Sequence, residues 1–186
     1  MDAITNLISR NSPRELTTPI PSKNQMDTVY QAALRAPDHA WLRPSRFIEV
    51  TGKGLDKLSD LFSEYSIKDI EDVTPIQLEK YKSAPYRAPM VIVLITKISE
   101  HPKVPEIEQI ISAGAAAQNM LNAAYALGLG AVWRTGEVAY DLNFSAGLGL
   151  AASEKLIGFL YLGTIPDGRE ANASKINTND YFKDWP

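Results

Sequence analysis

The chain contains no cysteine. That absence removes disulfides, thiolate nucleophiles and cysteine-ligated metals, and it fits a reducing cytoplasm. Histidine is almost as scarce. His39 and His101 are the only two, and neither has a second histidine or a carboxylate at zinc spacing. A hydrolase triad would have to use one of these two, and no G-x-S-x-G elbow occurs in the chain. Positive charge is not in excess: 19 lysines and arginines stand against 22 acids, for a formal net charge of −3. The basic residues are scattered, so neither a nucleic-acid face nor a polybasic membrane patch is expected. The longest apolar tract, Ile110 to Trp133, is broken by Ser112, Gln118, Asn119 and Asn122, which argues against a membrane span. The opening "MDAITNLISR" has an acidic second residue and no apolar centre, and does not read as a signal peptide.

Nucleotide-loop signatures are missing too. No Walker pattern is present. "GLGLAA" (147–152) formally matches G-x-G-x-x-A, but its glycines follow a helical stretch and precede a strand, the reverse of the dinucleotide fingerprint.

What is present is the profile of one soluble globular domain. Hydrophobic residues make up 45% of 186, enough for a sizeable core in a single unit. Asp2 can cap a first helix whose Ala3, Ile4, Leu7 and Ile8 share one face. Ser22 with Gln25 forms a capping box ahead of Met26, Val29, Tyr30, Ala33 and Leu34 at helical spacing, and Pro37 closes that helix. Leu55, Leu58, Leu61, Phe62 and Tyr65 mark another helix, and Thr74, Pro75 and Gln77 open a short one. A long helix runs from about Pro105 to Leu127, with Gly128 as its C-cap. "FIEV" (47–50), "MVIVLIT" (90–96), "AVWRT" (131–135) and "LIGFLYLGT" (156–164) read as strands, the second buried on both faces. The order of elements predicts an α+β sandwich, a small sheet covered by helices on both faces. The polar stretch after Pro166 keeps Ile176, Tyr181, Phe182 and Trp185, which a free tail has no use for.

Three polar clusters sit at the ends of these elements. Arg10, Asn11 and Ser12 lie at the exit of the first helix, where a basic residue also serves as a plain C-terminal cap. Arg35 to Arg46 forms a proline-rich loop carrying His39, and a solvated loop is the simpler reading of it. Trp133, Arg134 and Thr135 end a strand, where an arginine is often an ordinary edge residue.

Taken in order, the segments "LISRNSPREL", "RAPDHAWLRP", "SAPYRAPMVIV", "HPKVPEIEQ", "GLGAVWRTG" and "IGFLYLGT" resemble the short members of the nitroreductase family over nearly the whole chain. The resemblance implies a three-layer α+β fold with a small mixed or antiparallel sheet. It also implies a homodimer binding FMN at the subunit interface and a two-electron, ping-pong reduction by NAD(P)H. The acceptor would be a small molecule such as a nitroaromatic or quinone. Carried over by position, Arg10, Asn11 and Ser12 would meet the FMN phosphate and ribityl chain, and Trp133, Arg134 and Thr135 the same cofactor. Arg35 and His39 would reach it from the partner subunit. Residues 1–165 would form the domain and 166–186 an extension packed on the partner. Hydride passes directly between nicotinamide and flavin, so no side chain is assigned a catalytic role. Asn11 stands where relatives usually carry a second arginine, and Arg43 and Ser45 replace a glutamine and a tryptophan. The alternative reading is a flavin-binding protein of this fold with lost or different chemistry.

Overall fold

The computed structural model describes residues 1–167 and 176–185. Among the described residues four strands, β1 (Ser45–Thr51), β2 (Met90–Lys97), β3 (Gly130–Arg134) and β4 (Glu154–Gly163), form one sheet in the order β1-β2-β4-β3, antiparallel throughout. The central β2 is buried from Met90 to Thr96, which explains its unbroken apolar run. Helices α1 (Ala3–Ser9), α2 (Lys23–Ala33), α3 (Lys53–Asp69), α4 (Pro75–Lys82), α5 (Glu106–Ala126) and α6 (Leu142–Gly147) complete the fold.

The alternation of strand side chains sorts the core into two layers. Met90, Ile92 and Leu94 of β2 face α2 and α5, packing on Met26, Val29, Ala117 and Met120. Val91, Val93 and Ile95 face α3 and α6, packing on Leu58, Phe62 and Phe144. Phe62, Phe144 and Phe159 form a ring cluster there, with centroids 5.0 to 5.9 Å apart. Helices therefore cover both faces, the architecture the sequence predicts.

The local signals are realised in detail. Both capping boxes form, at Ser22/Gln25 and Thr74/Gln77, with Pro75 in the first helical turn. Helix α5 ends in a Schellman motif: Gly128 has φ +74°, its N–H reaches the Tyr125 carbonyl, and the Leu129 N–H reaches that of Ala124.

Helix α1 departs from the expected pattern. Asp2 caps it as expected, yet Ile4, Leu7 and Ile8 are 58 to 75% exposed, and the residue turned inward is Asn6. Asn6 Nδ2 donates to the Asn122 carbonyl of α5 (3.2 Å), so a polar contact docks the helix and its apolar stripe is left outside. Among the described residues no helix is long and apolar enough to cross a membrane.

Candidate functional site

The site is organised by an irregularity in β4. Leu94 pairs with Gly158, but the next residue, Ile95, pairs with Leu156, so Ile157 is an extra residue on β4. The bulge reverses side-chain parity along the strand, and Leu156, Phe159 and Tyr161 all end on the α3 face. Gly158 permits it with φ +135°, a value that side-chain-bearing residues rarely adopt. The Trp133 Nε1–H donates to the Ile157 carbonyl (3.2 Å), which fixes the indole on the α5 face beside Gly114. Thr135 packs over Gly158, where a Cβ would lie 2.9 Å from the threonine methyl.

Trp133 and Thr135 line a cavity of about 650 Å³ between α5, the bulge and the 137–145 segment. Its walls are mainly apolar, with Gly114, Ile111, Leu156 and Ile157 among them. The Lys155–Glu106 ion pair stands at its edge, and Tyr140 and Leu142 are more than 80% exposed beside it. This is the size and character of a pocket for a flat organic group.

Strand alternation sends Arg134 to the opposite face. Its guanidinium carbon lies 5.8 Å from the centroid of the Tyr161 ring, and Nη2 donates to the Arg14 carbonyl (2.9 Å). Burial first, then the Arg87 and Arg14 cations, hold its pKa below the usual arginine value, against an opposing pull from Tyr161. Burial likewise raises the Tyr161 phenol, with Arg87 and Arg134 opposing.

The bond to Arg14 joins two of the sequence clusters. The segment from Arg10 to Thr17 is laid along the edge of the sheet: the Leu16 N–H reaches the Arg87 carbonyl and Thr17 pairs with Thr164. Gly130 makes room for it, since a Cβ there would meet Leu16 at 2.1 Å. Arg10 Nη1 donates to the Asn11 carbonyl and to Ser12 Oγ, both at 3.2 Å. The side chain thus turns forward into the segment instead of capping the helix carbonyls. Tyr125 of α5 reaches Ser9, bracing the same exit.

The remaining cluster lies elsewhere in this chain. Arg35 is exposed just beyond α2, and His39 Nδ1 pairs with Glu108 on α5. The loop is tightly bent: Ala40, Trp41 and Arg43 all have φ between +51° and +57°, and Asp38 accepts from the Arg43 N–H (2.8 Å). Trp41 is 80% exposed. Neither Arg35 nor His39 lines the cavity of Trp133. Sequence reasoning missed the bulge, Arg87, Tyr161 and the Glu108 partner of His39. A lone glycine inside the "LIGFLYLGT" strand was the available signal for the first.

An antiparallel sheet between two helical layers, with an apolar cavity at the end of β3, is the architecture of a domain that binds a small organic molecule. The sequence profile of the nitroreductase family matches residues 7–164, and the chain belongs to that family. It is 37% identical over 164 residues, 88% of each chain, to "Putative NAD(P)H nitroreductase YdjA" of Escherichia coli (strain K12). A nitroreductase-like family protein from Bacillus cereus superposes with a TM-score of 0.83 at 22% identity, over 100% of this chain and 96% of that one. A Desulfovibrio desulfuricans protein described as "a putative nitroreductase in complex with fmn" gives 0.77 at 22% identity, over 100% and 98%.

Proposed function

We infer that the protein is a cytoplasmic, FMN-dependent NAD(P)H oxidoreductase that reduces nitroaromatics, quinones or a related acceptor by two electrons. One observation carries the reading. The apolar cavity walled by Trp133 and Thr135 is tied, through Arg134 and the Arg14 carbonyl, to a segment presenting Arg10 and Ser12. The residues fit the cofactor on both counts. A flat ring system needs an apolar slot, and a phosphate dianion needs a cation with hydroxyl donors, because charge-assisted bonds are about twice as strong as neutral ones.

Trp133 and Thr135 would hold the ring, and Arg10, Asn11 and Ser12 the phosphate and ribityl chain. Arg134 contributes by fixing that segment against β3. The flavin, when bound, supplies the hydride chemistry. The chain's own work is to orient donor and acceptor in one slot and to exclude water from it.

A homodimer completes this reading. The exposed Ile4, Leu7 and Ile8 of α1, with Ile107 and Ile111 of α5, offer apolar surface to a partner. Arg35 and His39 would reach across from the partner subunit. Of the 166–186 extension, residues 168–175 and 186 lie outside the described residues. Ile176, Tyr181, Phe182 and Trp185 are 67 to 96% exposed, which supports an arm awaiting a second chain. A chain ending at Ala173 is expected to dissociate more readily and lose flavin in parallel. Light scattering with absorbance at 280 and 450 nm measures both, and a truncated chain that stays dimeric and yellow removes the arm.

The experiment for the whole reading is the visible spectrum of purified protein under anaerobic conditions. The protein should be yellow or take up FMN, bleach with NAD(P)H, and give parallel reciprocal lines when donor and acceptor are both varied. Colourless protein after incubation with excess FMN overturns the enzyme and the binding protein together. Asn11, which offers no charge where relatives carry arginine, favours a second reading, a flavin protein without turnover. Yellow protein that NAD(P)H does not bleach would establish it.

A further inference from the structure

His39 and Glu108 meet outside the Trp133 slot, and neither residue lines that cavity. Glu108 sits in the first turn of α5, where any carboxylate suits the helix dipole. Both side chains are half-exposed, so the pair adds little to stability. Its effect is to choose a ring nitrogen. An ionised carboxylate only accepts hydrogen bonds, so Nδ1, the nitrogen facing Glu108, carries the proton. Nε2 has no hydrogen-bond partner among the described residues. The other histidine is arranged in the opposite sense. His101 Nδ1 accepts from the Lys103 N–H (3.2 Å), which puts a neutral ring's proton on Nε2.

The loop around His39 holds that aim. Ala40, Trp41 and Arg43 keep left-handed φ values that the surrounding contacts must enforce. Asp38 accepts from the Arg43 N–H within the loop, and Glu108 ties the loop to α5. Trp41, near His39 in the loop, and Ile107 and Ile111, beside Glu108 on α5, are 59 to 80% exposed. They are apolar surface of the kind a second chain would cover.

We propose that Glu108 is a positioning residue for His39, fixing the proton on Nδ1 and turning Nε2 to the FMN of the opposite subunit. This role rests on the flavin reading above. The ribityl hydroxyls suit such a nitrogen in either charge state of the ring, because a hydroxyl both donates and accepts. A ring without the carboxylate behind it is free to flip and to exchange tautomers, and so offers the wrong nitrogen part of the time.

The first measurement needs no flavin. Long-range proton–nitrogen-15 correlation of histidine-labelled protein, with both rings neutral, should show opposite tautomers, Nδ1–H for His39 and Nε2–H for His101. Glu108→Gln keeps the length of the side chain but can donate as well as accept. His39 should then lose its single tautomer while His101 keeps its own. In flavin fluorescence titrations at one fixed protein concentration, Glu108→Gln should weaken FMN about two- to tenfold, the range for one neutral hydrogen bond. Its melting midpoint should stay at the wild-type value. His39→Ala should cost at least as much affinity. The double variant should be no weaker than His39→Ala, since a residue that acts through another then has nothing to act on. One tautomer shared by both histidines, or additive losses in the double variant, overturns this proposal alone. Wild type that binds no FMN overturns the flavin reading and the proposal with it, whatever the spectra show.

Discussion

Gly158→Ala is expected to unfold the slot wall and release the cofactor. A Cβ at this position would lie 2.4 Å from Trp133 Nε1, 2.7 Å from the Arg134 carbonyl oxygen and 2.9 Å from the Thr135 methyl. The indole could rotate away, but the Arg134 carbonyl is backbone paired in the β3–β4 ladder and has nowhere to go. The φ of +135° alone costs a side-chain-bearing residue about 1–3 kcal/mol, and overpacking adds about 1–3 more. The melting midpoint should fall by roughly 5–20 °C in a chain of this size. Flavin should no longer copurify, because the three atoms crowded by the new Cβ belong to Trp133, Arg134 and Thr135. A variant that melts with the wild type and stays yellow would show that the bulge does not hold the slot.

Arg10→Ala should discriminate between two flavins. If Arg10 and Ser12 hold the phosphate, the variant loses FMN affinity by about 1.5–3 kcal/mol, the range for hydrogen bonds to charged groups, or roughly ten- to more than a hundredfold. Riboflavin has no phosphate, so its affinity should barely move. The side chain's present partners, the Asn11 carbonyl and Ser12 Oγ, are both in the exit segment, so its loss leaves helix α1 capped as before. Flavin fluorescence titrations of both ligands decide the matter. Equal losses would make Arg10 a brace for the segment and not a phosphate ligand.

The legible parts of this protein were the local ones. Capping boxes at Ser22 and Thr74, the C-cap at Gly128 and the two-faced burial of β2 each depend on residues within a few positions of one another. Amphipathic spacing gave α1 a face but no direction, and Asn6 took the inward place because Asn122, 116 residues away, offers it a carbonyl. The pairing of His39 with Glu108 and the convergence of Arg87 on Arg134 are likewise contacts between distant segments. No spacing rule reports them. The cluster Trp133-Arg134-Thr135 was located correctly as a strand end, yet strand alternation divides its side chains between two faces of the sheet. Trp133 therefore lines the cavity against α5 while Arg134 turns to Tyr161 on the other face.

The placement of α1 has a consequence for how the protein behaves on dilution. This seven-residue helix carries the exit that presents Arg10 and Ser12, yet its capping aspartate bonds only within it, and one amide bond from Asn6 and the Tyr125–Ser9 contact are its side-chain hydrogen bonds to α5. A helix this short is marginal in water by itself. Whatever covers Ile4, Leu7 and Ile8 therefore also sets how firmly Arg10 and Ser12, the proposed phosphate ligands, are held. If that cover is a second chain, mass action couples the two equilibria, and apparent FMN affinity becomes a property of protein concentration. Enzyme assayed at nanomolar levels would then be a poorer flavoprotein than the same enzyme in a concentrated stock. Activity per molecule should rise with concentration until the dimer is saturated.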